Sequence, residues 1–158
     1  MSAGAPVADR DLSKLAPRFR DAVEAATRAA NADGLDVFVY EAYRSAELQA
    51  LYYTRGRPPS TEYPKPVTYA KSNLYSWHGY GLAVDCISRL HRWDRPWQWW
   101  AAVAAHFGRA GCKWGGEWKQ ADLPHFQLGV LKPSPSDRAR EIMSSGGMQA
   151  VWVTVGAA

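Results

Sequence analysis

Asp85 constrains this chain more than any other residue. It lies in GLAVDCI, residues 81–87, a run that reads as a buried strand, and its neighbours two positions away, Ala83 and Ile87, are apolar. An ionised carboxylate in such a strand is costly unless it is paired or coordinates a metal. The fold must therefore bring a compensating group to it. The same stretch supplies a candidate: in SWHGYGLAVD, residues 76–85, His78 precedes Asp85 and is followed by Gly79 and Gly81. Glycines allow close backbone approach and unusual torsions.

The surrounding pattern is a mixture of helices and short strands. Leu12, Leu15, Phe19, Val23 and Ala26 recur at three- and four-residue steps, which predicts a helix over 10–32 that stops at Asp33-Gly34. LDVFVYE, 35–41, is β-branched and aromatic and predicts a strand. Ser45 suits the N-cap of a helix running to about Tyr53. Residues 55–70 hold four prolines and one glycine and read as a long irregular loop, a type that is functional or disordered in compact domains. A helix is expected over 95–110, with Pro96 in its first turn, Trp99, Trp100, Val103 and Phe107 on one side, and Gly111 as a stop. A short strand over 123–129 and a last helix over 136–144 complete the series. Separated helices and strands, without β-α-β alternation, indicate an α+β fold.

The 158 residues make one ordinary domain, 1–158, large enough to bury a core without staples. Eight Trp and eight Tyr fill a core by default, with an aromatic groove as the alternative. The net charge of +4 favours anionic surfaces. The basic residues are scattered among acids, so no nucleic-acid partner is expected. Cys86 and Cys112 lack metal-finger spacing; they read as two small buried residues, with a single disulfide as the alternative. MSAGAPVADRDLSKL shows no apolar segment of signal-peptide length, and no window suits a membrane span. The chain is thus expected to be made in the cytoplasm without stable membrane insertion.

Of the four histidines, His91 and His106 read as surface or helix-end residues. His125 differs. It follows Pro124 in DLPHFQ, with Asp122 three positions earlier. His78, Asp85 and His125 together make two neutral donors and one anionic donor, a set suited to zinc with a fourth position left for water, as in catalytic sites. Asp122 is then a second acid placed to take a proton. Ordinary packing or ion pairing of these residues is the competing reading of the spacing. Arg44, in YRSAELQ, falls between a strand and a helix, where a guanidinium holds a carboxylate, steadies an oxyanion or simply pairs with a nearby acid.

These residues match a known pattern. Ser76, His78, Gly81, Ala83 and Asp85 resemble the first motif of the lysostaphin and D-Ala-D-Ala metallopeptidase group, and DLPHF resembles the second. GCKWGGEW, 111–118, is similar to a segment of its L-alanyl-D-glutamate endopeptidase branch, and YRS followed by Gln49 is similar to that branch's arginine motif. The likeness runs in order from about Val39 to Gln127. Gly79 stands where many relatives carry a larger polar residue, and Cys112 where an aromatic is usual.

The resemblance implies a small antiparallel sheet flanked by helices. It implies zinc on His78, Asp85 and His125, Asp122 as catalytic base, and Arg44 holding substrate or transition state. Tyr80, Trp114, Trp118 and Gln49 are the expected substrate-binding residues, with core packing the alternative for each aromatic. The expected activity is hydrolysis of the L-alanyl-D-glutamate bond of peptidoglycan. The expected setting is a monomeric phage or prophage endolysin, released by a holin from the host cytoplasm to act in the periplasm. The rivals are a D,D-carboxypeptidase of the same group and a non-catalytic wall or tail module with structural zinc.

Overall fold

Pro17 decides where the first long helix begins. The computed structural model describes residues 4–60 and 62–158; residues 1–3 of the N-terminal segment and Thr61 of the proline-rich loop lie outside that description. A proline disfavours the α conformation in the residue before it, and Ala16 is accordingly extended, with ψ 135°. The helix expected over 10–32 is therefore divided into a 3-10 turn, Leu12–Lys14, and α1, Pro17–Ala32. Phe19, Val23, Ala26 and Ala30 form the buried stripe of α1.

Four short strands form one antiparallel sheet in the order β1-β2-β4-β3, with β1 Val37–Glu41, β2 Ala83–Ser88, β3 Cys112–Trp114 and β4 His125–Leu128. Helices α2, Ala46–Thr54, α3, Trp97–Arg109, and α4, Asp137–Thr154, join α1 around it, giving the expected α+β architecture. Helix α2 starts where Ser45 predicts, its hydroxyl accepting from Leu48 N–H at 3.1 Å. The apolar side of α3 is buried as anticipated at Trp99, Trp100, Val103 and Phe107, and the Phe107 ring stacks on Phe126 of β4 at 3.9 Å. Strand β3 is not legible in the sequence, because three residues are too few to show alternation.

The last helix is twice as long as the pattern suggested. Gly147 leaves the helical region at φ 77°, but the chain resumes its helix to Thr154. Val151 and Ala157 are buried there. Trp152 donates its indole N–H to the Tyr80 carbonyl at 2.6 Å, so the C-terminal segment buttresses the turn that carries His78.

The proline-rich loop is fastened at both ends. Arg57 donates to Thr68 O at 2.8 Å, and Gln49 donates to Ala70 O at 2.7 Å. Cys86 and Cys112 are free and buried, not bridged. His91 is exposed. His106 does sit in the last turn of α3 but is buried rather than on the surface; it lies 2.7 Å from Asp33 and accepts from Arg109 at 2.9 Å, which ties the C-termini of α1 and α3 together.

Candidate metal centre

The register of β2 sets the site. Asp85 pairs with Glu41 of β1 on one side, across a bulge between Val39 and Glu41, and with His125 of β4 on the other. Paired residues of antiparallel strands share a face, so the carboxylate meets His125 without any further device. His78 arrives from a 3-10 turn, Trp77–Tyr80. Ser76 caps this turn, its hydroxyl accepting from His78 N–H at 3.3 Å, and Gly81 closes it in the left-handed region at φ 67°. Gly79 is required here: a Cβ would lie 2.2 Å from the Asn73 carbonyl oxygen.

The outcome is a tight cluster. One ligand atom from each of His78, Asp85 and His125 lies within 4.8 Å of the other two. His78 Nε2 is 3.2 Å, and His125 Nδ1 3.6 Å, from Asp85 Oδ1. Each ring faces the site with a different nitrogen, and each tautomer is fixed from behind. His78 Nδ1 lies 3.0 Å from the Ala42 carbonyl, which can only accept, so that nitrogen carries the proton and Nε2 presents its lone pair. His125 Nε2 lies 2.8 Å from Gln127 Oε1. The Gln127 amide nitrogen donates to Lys132 O at 2.9 Å, so its oxygen faces the ring and Nδ1 is left free for the site. Two imidazoles with their outer nitrogens occupied, beside one carboxylate, is the donor chemistry of a three-ligand zinc site.

Electrostatics follow the same lines. With no metal bound and the rings doubly protonated, burial alone would raise the Asp85 pKa, but the charge of His78 and the hydrogen bonds of both histidines outweigh it and hold the carboxyl well below its ordinary value. Burial lowers the His125 pKa, yet its bond to Asp85 and the charges of Asp85 and Asp122 leave it raised. Asp122 lies just outside the cluster, with Oδ2 3.8 Å from His125 Nδ1. Half its side chain is open to solvent. The protein crowded around its carboxyl and the negative charge of Asp85 nonetheless raise its pKa, the direction a proton acceptor needs. Gly115 makes room for it, since a Cβ there would lie 2.7 Å from Asp122 O and 3.1 Å from His125 Cβ.

Arg44 is enclosed rather than poised in open solvent. It pairs with Glu41, donates to Gln49 Oε1 at 2.9 Å and reaches Asp85 Oδ2 at 3.5 Å. Tyr52 donates to the other oxygen of Glu41 at 2.8 Å. Arg44 therefore braces the back of the Asp85 carboxylate through a buried network. Gln49, fully buried, does not line a cleft; it links Arg44 to the proline-rich loop. Tyr80 is likewise fully buried, its hydroxyl donating to Leu74 O at 2.9 Å, so it is core and not groove wall. Trp114 is nearly buried and donates to Leu123 O at 2.7 Å. Trp118 is half-buried and tilts over the His125 ring at 4.9 Å. Glu41 and Gln127 were not singled out from sequence. Gln127 carried a usable signal, because residues two apart on a strand share a face with each other.

Comparison with known proteins agrees with this geometry. Residues 70–128 match the D-alanyl-D-alanine carboxypeptidase family. The chain is 34% identical over 130 residues to the peptidoglycan L-alanyl-D-glutamate endopeptidase CwlK of Bacillus subtilis (strain 168), an alignment covering 75% of this chain and 74% of that protein. Its fold is similar to that of the Serratia marcescens L-Ala D-Glu endopeptidase ChiX, with a TM-score of 0.56 and 25% identity over 79% of this chain and 88% of that one. It is also similar to the vancomycin-resistance D,D-pentapeptidase VanY in complex with Zn(II), with a TM-score of 0.50 and 17% identity over 96% and 92% of the two chains, a likeness of fold. The chain belongs to the zinc metallopeptidase family that holds the D-alanyl-D-alanine carboxypeptidases and L-alanyl-D-glutamate endopeptidases.

Proposed function

We propose that this protein is a zinc-dependent peptidoglycan endopeptidase that hydrolyses the L-alanyl-D-glutamate bond of the stem peptide. The observation that carries the reading is the pairing of the His78, Asp85 and His125 cluster with a half-exposed acid, Asp122, whose pKa is raised. A closed structural site has no use for such an acid. The choice of bond is supported by CwlK and ChiX, both L-alanyl-D-glutamate endopeptidases.

His78, Asp85 and His125 would hold the zinc, which when bound supplies Lewis-acid polarisation and makes water acidic enough to attack at neutral pH. Asp122 accepts the proton of the attacking water and delivers it to the leaving nitrogen of D-glutamate. The hydrogen bonds of Ala42 and Gln127 keep both rings in the ligating tautomer, and Arg44 keeps Asp85 aimed at them. Trp118, beside His125, forms the near wall of the substrate cleft.

The accompanying biological reading is a monomeric endolysin of a phage or prophage, kept in the host cytoplasm until a holin releases it to the wall in the periplasm. The net charge of +4 favours contact with an anionic wall. Among the described residues no helix is long and apolar enough to cross a membrane.

Mass spectrometry of digested peptidoglycan tests the activity. New D-glutamate amino termini, absent with EDTA and with Asp122→Ala, are expected. Release of free D-alanine would move the assignment to a D,D-carboxypeptidase, and intact peptidoglycan with zinc still bound would leave a non-catalytic module. Lysis of host cells only when a holin is co-expressed is the outcome expected of an endolysin.

A further inference from the structure

Three guanidinium groups converge on one ring at the end of the β1/β2 ladder away from the metal cluster. The Cζ atoms of Arg10, Arg89 and Arg92 lie 5.1, 5.2 and 5.4 Å from the Phe38 ring centroid. Arg10 and Arg92 also lie 5.1 and 5.7 Å from the Tyr40 ring. Trp93, half exposed, meets Tyr40 edge-on at 4.9 Å and completes the platform. The three charges are thus within roughly a Debye length of one another, ~10 Å at 0.1 M salt.

Their acidic partners are missing. All three arginines are exposed, and among the described residues none is ion-paired with an acid, whereas Arg20, Arg44, Arg138 and Arg140 each are. Attraction to the ring face explains where each guanidinium rests. It leaves the mutual repulsion of three cations around one ring unanswered.

The backbone that presents them is held in place. Asp36 and Arg92, at φ 42° and 56°, are the non-glycine residues with positive φ among the described residues, and both frame this patch. Asp36 Oδ2 accepts from Ser88 Oγ at 2.6 Å and from Leu90 N–H at 3.1 Å, and its carbonyl accepts from Arg89 N–H at 2.8 Å. Ser88 and Arg92 exchange backbone hydrogen bonds at 3.1 and 3.0 Å. On the other flank Arg10 Nε donates to Tyr40 O at 3.3 Å. Beside the cluster an open cleft of about 270 Å³ is lined by Arg10, Phe38 and Arg89 together with Thr27 and Asn31. The patch is displaced along the strands from the metal cluster: Phe38 pairs with Ile87, whereas Glu41 pairs with Asp85. That offset is about 10 Å along the strand at roughly 3.3 Å per residue.

Guanidinium forks recognise phosphate oxygens in bidentate fashion. Three of them on a fixed, exposed and open surface suit successive phosphates of a chain better than one enclosed anion. We propose that Arg10, Arg89 and Arg92 dock the phosphodiester backbone of an anionic polymer carried by the cell wall, at a site separate from the metal centre. The choice of wall polymer rests on the peptidoglycan reading above. The chain's other basic residues are interleaved with its 15 acids rather than gathered into the long stripe that nucleic acid needs.

Co-sedimentation with purified walls tests this, using walls with their phosphodiester polymers intact or stripped by hydrofluoric acid. Zinc-loaded protein carrying Asp122→Asn keeps digestion from disturbing the measurement. Binding to intact walls is expected to be about tenfold tighter than to stripped walls and to weaken steeply with salt. R10Q/R89Q/R92Q should abolish the preference. R18Q/R28Q/R138Q, which removes the same three charges from other exposed positions, should keep it. Equal loss in both triple variants, no preference in the parent protein, or tighter binding to duplex DNA than to intact walls at the same salt would each overturn the proposal. The parent comparison needs no arginine variant and so does not depend on how the variants fold. Hydrolysis of a soluble stem peptide by the wild type and by R10Q/R89Q/R92Q is read separately, and equal rates are expected. A preference for intact walls in a protein that cuts no stem peptide would overturn the endopeptidase reading and still support the docking site.

Discussion

Gln127 decides which nitrogen His125 offers. Its amide nitrogen is committed to the Lys132 carbonyl at 2.9 Å, so its oxygen must face the imidazole, 2.8 Å from Nε2. The same carbonyl accepts from the Trp77 indole at 2.7 Å, which anchors the arrangement to the segment that carries His78. Replacing Gln127 by Leu should lower zinc affinity about 10- to 100-fold, the usual cost of losing such an outer partner. Gln127→Glu, which can still accept from the ring, should restore most of it. Competition with a chromophoric chelator reads the affinity, and the nitrogen chemical shifts of His125 read its tautomer. Unchanged affinity in the Leu variant would remove the role assigned to Gln127.

The raised pKa of His125 gives metal-free and metal-loaded protein opposite pH responses. A group whose folded pKa lies above its unfolded value stabilises the fold fully below the unfolded value, ordinarily near 6.5, and loses that contribution as pH rises through the folded one. Metal requires the neutral ring and competes with the same proton. The difference in Tm between zinc-loaded and EDTA-treated protein should therefore widen as pH is raised from below 6.5 through the folded pKa. Thermal melts across that range check it; a constant difference would mean that His125 is not a ligand.

Gly79→Ala should destabilise the fold by about 1–3 kcal/mol, as overpacking of a well-filled site does. The added Cβ would lie 2.2 Å from the Asn73 carbonyl oxygen, which must then move together with the capped turn. Gly34→Ala serves as the contrasting case, because nothing lies within 4 Å of its Cβ position and its cost arises from φ 77° alone. Chemical denaturation of both variants and measurement of bound zinc separate the two: only the Gly79 change should also weaken the metal site.

Neither cysteine should react while the chain is folded. Both are buried; burial pushes the Cys112 thiol up to about 12 and raises that of Cys86 well above its ordinary range. Ellman's reagent should release no signal from native protein at pH 8 and two equivalents after unfolding. Oxidants should leave the activity unchanged.

Much of this molecule was already written locally. The strands at 37–41 and 83–88, the Ser45 cap and the buried stripe of α3 follow from periodicity and capping over a few residues each. The carboxylate in GLAVDCI announces by its cost that partners must come to it. The split of the first helix was also legible, because Pro17 acts on its own neighbour, but the apolar stripe runs across the break and hid it. The long continuation of α4 was not legible, because a glycine pair reads as a stop unless the buried contacts of Val151 and Trp152 are known.

The tertiary structure alone decided what those pieces do together. Register places His125 opposite Asp85, and a bulge sets Glu41 on the other side. Sequence left Arg44 open to substrate, oxyanion or acid; packing gave it to Glu41, Gln49 and Asp85. Packing also turned Tyr80 and Gln49 inward and gathered Arg10, Arg89 and Arg92 around Phe38. The physical reason is one of range. Dihedral preference, capping and hydrophobic period act between residues a few positions apart, and the sequence determines them by itself. Which side chains share a face, which nitrogen of a histidine is free and which charges lack a partner depend on strands and loops brought together from distant parts of the chain.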